Sequence, residues 1–460
     1  RQNMQYFIKY TPGKIVMSKK FIGKKWAVSA VLLLCLSVPV LHAQDDPGAS
    51  TAGPAVASPA EPVESASANE PAVTTTVSAE TPAQTNRPQL NSAAPTATQP
   101  LITPKPPQIN ATSYILMDAL TGKTLVEYSS DQPLPPASLT KIMTTYVADM
   151  EIAAGNISLN DEVTVSVKAW QAEGSKMFIQ EGTQVRVEDL MRGIIIQSGN
   201  DASIALAEHI AGSEEAFADL MNQHAKQLGM SNSNFLNSSG LPDPNHKMSA
   251  HDLATLARTI ITRFPEQYKI YGEREFTYNN IRQPNRNSLL FTDRTVDGMK
   301  TGFTDDAGYC LVASSMRDGI RLIAVILGAD STDARAIEAQ KLLTYGFRFF
   351  ENYQLFSTNQ VLGNSQVWSG KTDNVNIGIK DAMIVTIPRG QADRLETVLD
   401  LDQDLHAPIV AGQVLGKVRV NLGEEVLYDG QVVAMHDVEL GSWIKRFMDW
   451  LQLFFLSLFG

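Results

Sequence analysis

The sequence predicts an α/β domain followed by a small all-β domain and a C-terminal amphipathic helix. Three observations carry that expectation. Two strand-like runs, Tyr114–Met117 and Thr124–Tyr128, lead into an apolar series of helical period: Leu139, Ile142, Met143, Tyr146, Val147 and Met150. Beyond about Tyr353, short strand-like runs follow one another with turn residues between them. The final twenty residues place large apolar side chains along one helical face.

A chain of 460 residues has room for two or three folded units. Its 38 Lys+Arg against 49 Asp+Glu give a net charge of −11, which argues against a nucleic-acid partner, since such proteins carry a basic domain or stripe. Two cysteines, Cys35 and Cys310, exclude a disulfide scaffold and any multi-cysteine zinc or iron–sulfur site.

Residues 1–43 read as an address. Residues 1–16 start with Arg rather than Met and read as upstream translation or an offset in the numbering. From Met17, the lysines Lys19, Lys20, Lys24 and Lys25 precede an apolar stretch around Val31–Val40, and Ala43 stands before Gln44. That is the layout of a secretory signal peptide cut after Ala43; the apolar run is short of the ~20 residues a span needs. Cys35 is preceded by Leu33 and Leu34 rather than small residues, which argues against a lipoprotein. Residues 44–108 are rich in Ala, Pro, Ser, Thr and Glu, without Phe, Tyr or Trp, and read as a non-folding tether that cannot bury enough apolar surface to offset its ordering entropy.

Folded sequence is expected from residue 109. The hairpin turn Leu120-Thr121-Gly122-Lys123 brings Gly122-Lys123-Thr124 together, but Met117 stands where a phosphate-binding loop needs its first glycine. Pro135-Pro136 then opens a buried helix whose first turn carries Ser138, with Lys141 at i+3 on the same face. A serine hydroxyl beside an amine that loses its proton in a dry pocket is an activated nucleophile needing no histidine. Ser-x-x-Lys alone is as well explained by a capping serine and a solvated lysine. It gains meaning from Ser198-Gly199-Asn200, a hydroxyl and a carboxamide in a turn, and from Lys300-Thr301-Gly302 on a strand whose glycines permit close backbone approach.

These elements, in this order, are the set of penicillin-binding proteins and serine β-lactamases. From about residue 109 to the C-terminus the chain resembles the membrane-anchored low-molecular-mass penicillin-binding proteins, the D-alanyl-D-alanine carboxypeptidases. The likeness includes Gln197–Ala202, Gln283-Pro284-Asn285-Arg286-Asn287 and Lys341–Phe350. It implies a β-lactamase/transpeptidase-like domain over 109–353, with an antiparallel sheet between helical layers. It also implies, as substrates, peptidoglycan stem peptides and, as covalent inhibitors, β-lactam antibiotics, with no cofactor and no metal. By the same resemblance Ser138 would attack the carbonyl between two D-alanines, Lys141 would take its proton, and Ser198 would bridge that proton to the leaving amine. Asn200 would orient Lys141 and the substrate amide. Lys300 would keep the pocket positive, and Thr301 with Arg335 would bind the terminal carboxylate, Arg335 alternatively being an ordinary surface helix residue. Backbone N–H groups of Ser138 and Phe303 would form the oxyanion hole, with Gly302 allowing close approach. Phe303 departs from relatives that often carry His there; a main-chain donor survives the change.

Within this fold a class A β-lactamase would need a glutamate some tens of residues past Ser-x-Asn, and none lies between Glu215 and Glu266. A D,D-endopeptidase cutting crosslinks is a nearer alternative, and an inactive wall-binding module a remoter one. A zinc peptidase is disfavoured, because His209, His224, His246, His251, His406 and His436 form no His-Glu-x-x-His pair and read as ordinary surface or core residues.

In residues 354–440, strands are expected at Val375–Ile379, Met383–Ile387, Leu395–Leu401, Val414–Val420, Val426–Tyr428 and Val432–Ala434, with turns at Asn421-Leu422-Gly423 and Asp429-Gly430. This domain would hold the first off a membrane or recruit partners. In residues 441–460, Trp443, Phe447, Leu451, Phe454, Phe455 and Leu458 share a face, with Lys445, Arg446, Asp449 and Gln452 off it. The uninterrupted apolar run is too short to span, so residues 442–460 are expected to lie in a membrane interface. Export and interfacial anchoring together imply a peripheral protein on the periplasmic face of the bacterial inner membrane.

Overall fold

The structure, a computed structural model, describes residues 4–11, 14–21, 103–402 and 404–459. The apolar signal stretch, the expected cleavage at Ala43 and the tether up to residue 102 lie outside the described residues. The backbone of Met4–Thr11 and Lys14–Phe21 forms a hairpin that pairs with Leu395–Leu401.

The expected hairpin forms as β1 (Ser113–Asp118) and β2 (Thr124–Tyr128). With β3 (Val296–Thr304), β4 (Gly308–Arg317) and β5 (Ile320–Ala329) they build a five-stranded antiparallel sheet in the order β2-β1-β5-β4-β3. The helices that matter for the site are α1 (Thr140–Ala154), α2 (Asn200–Ala211), α3 (Ala250–Arg263) and α4 (Thr332–Phe349). Strand β5 is central and covered on both faces, which is why it reads as nearly continuous apolar sequence. Its pleat sends Leu322, Ala324 and Ile326 toward Ala339, Leu342 and Leu343 of α4. Ile323, Val325 and Leu327 go to the opposite face, toward Ile142 and Met143 of α1 and Leu253 and Leu256 of α3. Ser249 and Ser331 cap α3 and α4 by accepting the N–H groups of Asp252 and Ala334. Strand β3 is left at the sheet edge, beside the start of α1.

The folded unit takes in the end of the segment read as tether: Tyr345 on α4 donates its hydroxyl to the Pro104 carbonyl at 2.8 Å. A proline-rich stretch has carbonyls without matching donors, and a helix-face tyrosine supplies one.

In the second domain, the strands Asn374–Ile379, Met383–Pro388, Leu395–Leu401 and Val414–Leu422 lie where expected, and Phe350–Phe356 and Gln360–Trp368 add to them. The turn expected at Asp429-Gly430 is not one. Glu425–Ala434 is a single strand, with Asp429 opposite Arg419 and Gly430 opposite Val418. The Arg419–Asp429 ion pair at 3.0 Å gives Asp429 a cross-strand partner in place of a turn role. Asn352 donates to Asp118 at 3.0 Å and Lys123 pairs with Glu425 at 2.7 Å, tying this domain to the hairpin β1-β2.

The final helix, α5 (Trp443–Phe459), turns its polar side toward its own domain. Asp449, 9% exposed, accepts the Ser369 N–H at 2.8 Å, and Lys445 reaches both Asp449 and Asp373. Trp443, Ile444, Phe447, Met448, Trp450, Phe454 and Phe455 remain exposed. Among the described residues no helix is long and apolar enough to cross a membrane.

Helix α1 also buries Asp149, neither of whose carboxylate oxygens has a hydrogen-bond partner among the described residues. Burial pushes its carboxyl up to about 8. A carboxyl raised in the folded state favours folding in its neutral form, so this stability is full below the unfolded value near 4 and is lost as pH rises toward the folded one. Asp149→Asn, isosteric with the protonated acid, should match wild type in thermal unfolding near pH 4. It should exceed it at pH 8, by up to about 1.4 kcal/mol for each pH unit between.

Candidate active site

The nucleophile candidate sits in a turn rather than in the helix. Ala137 has φ +49°, outside helical geometry, so a 3-10 turn spans Ala137–Leu139 and α1 begins only at Thr140. Ser138 is therefore ahead of the α-helix, not within its first turn as the sequence suggested. The i+3 relation still places Lys141 beside it, with Nζ 3.1 Å from Ser138 Oγ. Lys141 is completely buried and its amine also donates to Asn200 Oδ1 at 2.7 Å and to the Ser239 carbonyl at 2.6 Å.

The Ser198-Gly199-Asn200 segment reaches that amine through a reversal of the chain. The helical run ends in a π-type turn, Gly193–Gln197, and Ser198 at φ +67° redirects the backbone so that α2 starts at Asn200. Asn200 is held at both ends of its amide: Oδ1 faces Lys141 and Nδ2 donates to the Glu173 carbonyl at 2.6 Å. That pair of contacts settles which end is oxygen. Asp201 accepts the N–H groups of Met177 and Phe178 at 2.8 Å each, fixing the loop that carries Glu173. The buried Ser198 hydroxyl has no hydrogen-bond partner among the described residues.

The third element closes the cleft from the edge of the sheet. An edge strand leaves alternate N–H groups outside the ladder. On β3, Gly302 approaches the serine turn so closely that a Cβ would lie 2.9 Å from the Pro136 carbonyl and 3.3 Å from the Ala137 Cβ, so the juxtaposition requires glycine. Lys300 and Thr301 are buried, and Lys300 Nζ donates to the Thr301 carbonyl at 3.2 Å. Arg335 is not the surface residue its helix position allows. It is buried, donates to the Gly302 carbonyl at 3.1 Å and lies over the Tyr309 ring. Phe303 is half-exposed and packs on Tyr309, ring centroids 4.3 Å apart.

Charge crowding sets the chemistry. Burial, with the positive Arg286 next in importance, brings the Lys141 ammonium down to about 7. Burial and repulsion by Lys141, Arg286 and Arg335 hold Lys300 well below the usual lysine range. Arg286 lies in a stretch the sequence reading singled out without assigning it a role, and only folding reveals that its charge bears on both lysines and on Arg335. The Ser239 carbonyl was equally invisible, being main chain. It is steadied by Glu214, which accepts both the N–H and the hydroxyl of the preceding Ser238.

Residues 101–331 match the family model for D-alanyl-D-alanine carboxypeptidase, and residues 350–440 match that for the penicillin-binding protein 5 C-terminal domain. The chain is 44% identical over 375 residues to the D-alanyl-D-alanine carboxypeptidase DacC of Escherichia coli, covering 80% of this chain and 94% of that one. It is 42% identical to DacA of Haemophilus influenzae, covering 77% and 92%. Among solved structures it is similar to penicillin-binding protein 5 from Haemophilus influenzae, with a TM-score of 0.69 at 42% identity, covering 73% of this chain and 99% of that chain. It is also similar to the carboxypeptidase DacD from Francisella tularensis, with a TM-score of 0.63 at 35% identity over 75% and 97%. With its family model spanning the three site motifs and its relatives covered nearly end to end, the chain belongs to the D-alanyl-D-alanine carboxypeptidase family.

Proposed function

We propose that the chain removes the terminal D-alanine from peptidoglycan pentapeptide stems through an acyl-enzyme on Ser138, and that β-lactams are trapped at the same serine. The observation that carries this reading is the environment of Lys141 Nζ. A neutral amine has two N–H bonds and one lone pair, and here it meets two oxygens positioned to accept, Asn200 Oδ1 and the Ser239 carbonyl, and one hydroxyl able to donate, that of Ser138. With burial bringing its ammonium down to about 7, the amine can shed the proton it shares with Ser138 and take up the serine's in turn.

Ser138 Oγ attacks the carbonyl of the penultimate residue while its proton passes to Lys141 Nζ. The negative oxygen that forms is met by the N–H groups of Ser138 and Phe303. As the C–N bond breaks, the leaving amine takes the proton through the Ser198 hydroxyl, and the product is free D-alanine. Water then attacks the ester, giving a proton to Lys141 Nζ; as the acyl carbon–Oγ bond breaks that proton passes to Ser138 Oγ, and the shortened stem leaves with a free carboxyl terminus. Lys300, Thr301 and Arg335 supply the positive, hydroxyl-bearing edge for the substrate carboxylate, and Arg286 adds to that field.

Export and anchoring belong to the same proposal: the enzyme acts at the periplasmic face of the inner membrane, held peripherally by α5. The exposed aromatic side of that helix supports the reading. Each large apolar side chain would contribute roughly 1.5–3 kcal/mol if fully buried, against a weaker electrostatic term from Lys445 and Arg446.

Ser138→Ala should abolish both release of D-alanine from a pentapeptide stem and covalent labelling by a fluorescent penicillin. A crosslinked muropeptide dimer assayed beside the pentapeptide should be cut far more slowly, and preferential cutting of the dimer would make the enzyme an endopeptidase. Because the base must be unprotonated, the acylation rate of wild type should climb with pH through about 7 and level off above it. Lys141→Arg, whose guanidinium keeps its proton at accessible pH, should acylate at least about a hundredfold more slowly while remaining folded. Removing residues 442–460 should release an active enzyme from membranes, whereas high salt should leave the intact protein bound, since screening weakens only the charged contacts. Fractionation of exported protein checks this, and full-length protein soluble without detergent would refute the anchor.

A further inference from the structure

From the sequence His246 reads as an ordinary residue, but its contacts lead to the Ser138 turn. The imidazole is buried, with the Phe235 ring against it edge-on at 5.7 Å between centroids. The Leu236 N–H lies 3.2 Å from Nδ1, and a peptide N–H only donates, so Nδ1 bears no proton and Nε2 of the neutral ring bears it. Nε2 is 2.9 Å from Thr140 Oγ1 and therefore donates to it. The Thr140 hydroxyl sends its own proton on to the Ala137 carbonyl at 2.9 Å, which also accepts the Thr140 N–H. Donor direction along the relay is thus set at both ends by main-chain groups. Burial brings the imidazole down to about 4, against the pull of Asp243 and helped by the positive Lys141 and Lys247, so the ring is neutral where the enzyme works.

The carbonyl at the end of this relay is half of a special peptide group. Its other half is the Ser138 N–H, and in a planar trans peptide the two point in opposite directions. Holding the carbonyl therefore aims the N–H. The hold is tight on the other side as well. Gly240, at φ +81°, lies so close that a Cβ there would be 1.9 Å from the Ala137 oxygen and 2.7 Å from Thr140 Oγ1. The adjacent Ser239 carbonyl is the one that receives the Lys141 amine.

We propose that His246 is a positioning residue which, through Thr140, fixes the Ala137–Ser138 peptide group and so directs the Ser138 N–H at the oxyanion formed during acylation; this rests on Ser138 being the nucleophile.

The test uses the full-length protein and a fluorescent penicillin, with stopped-flow separation of the initial dissociation constant from the first-order acylation rate. Thr140→Val, isosteric but without a hydroxyl, should acylate about tenfold or more slowly, with the dissociation constant within about twofold of wild type. Thr140→Ser, which restores the hydroxyl, should recover most of the rate. His246→Asn keeps an acceptor for the Leu236 N–H but cannot reach Thr140, so it should be slowed like the valine variant. Combined with Thr140→Val, it should add nothing further. Acylation of Thr140→Val within about twofold of wild type, or slowing by the two substitutions that multiplies, overturns the relay. Ser138→Ala run alongside separates the two readings. If it is unlabelled while Thr140→Val reacts at the wild-type rate, only the relay fails; if it is labelled, the nucleophile assignment fails and the relay with it.

Discussion

The site depends on one costly act: withdrawing the Lys141 ammonium from water at the place where an α-helix, a helical loop region and a sheet edge meet. A buried cation is tolerated only with partners or after losing its proton. Here the partners are neutral oxygens from separate parts of the chain, Asn200 and the Ser239 carbonyl, while the nearby charge of Arg286 pushes in the same direction as burial, against the weaker pull of Asp201 and Glu214. The fold thus spends stability to hold a buried amine whose ammonium is brought down to about 7. The surrounding features, from Asp201 pinning the Met177 loop to Glu214 holding Ser238, read as means of keeping those oxygens in place.

That dependence explains what could be seen in the sequence and what could not. Ser138, Lys141, Ser198, Asn200 and the Lys300–Gly302 strand are side chains or glycines whose short spacings survive in the folded geometry, so motif and structure coincide. The amphipathic run of α1 and the hairpin β1-β2 were legible for the same local reason. Tertiary environment was not. His246 looked ordinary because its significance lies in which main-chain groups flank it. Ser239 acts through a carbonyl that no side-chain pattern reports. Asp149 lies in the helical run without any sign that its carboxyl would be buried with no partner among the described residues.

Two readings failed through local signals that longer-range pairing overrode. Asp429-Gly430 has the composition of a turn, but the neighbouring strand offers Arg419 opposite Asp429, and pairing along Glu425–Ala434 continues through it. Ser138 was placed in the helix by apolar periodicity, which cannot register that Ala137 adopts a positive φ. The displacement is small, and in either setting the Ser138 N–H precedes the region where helical N–H groups are bonded, so it stays free for the cleft.

The clamp formed by Asp449, Lys445, Asp373 and the Ser369 N–H bears on the last helix as a key bears on a lock. An α-helix advances 100° per residue, so Asp449 can meet Ser369 in one rotational setting only. Sliding the register by a single position would swing the aromatic stripe sideways and carry the carboxylate out of reach. The helix is therefore torsionally indexed to the β-domain, and any surface that the stripe of Trp443, Phe447 and Trp450 meets is met by that domain from a fixed side.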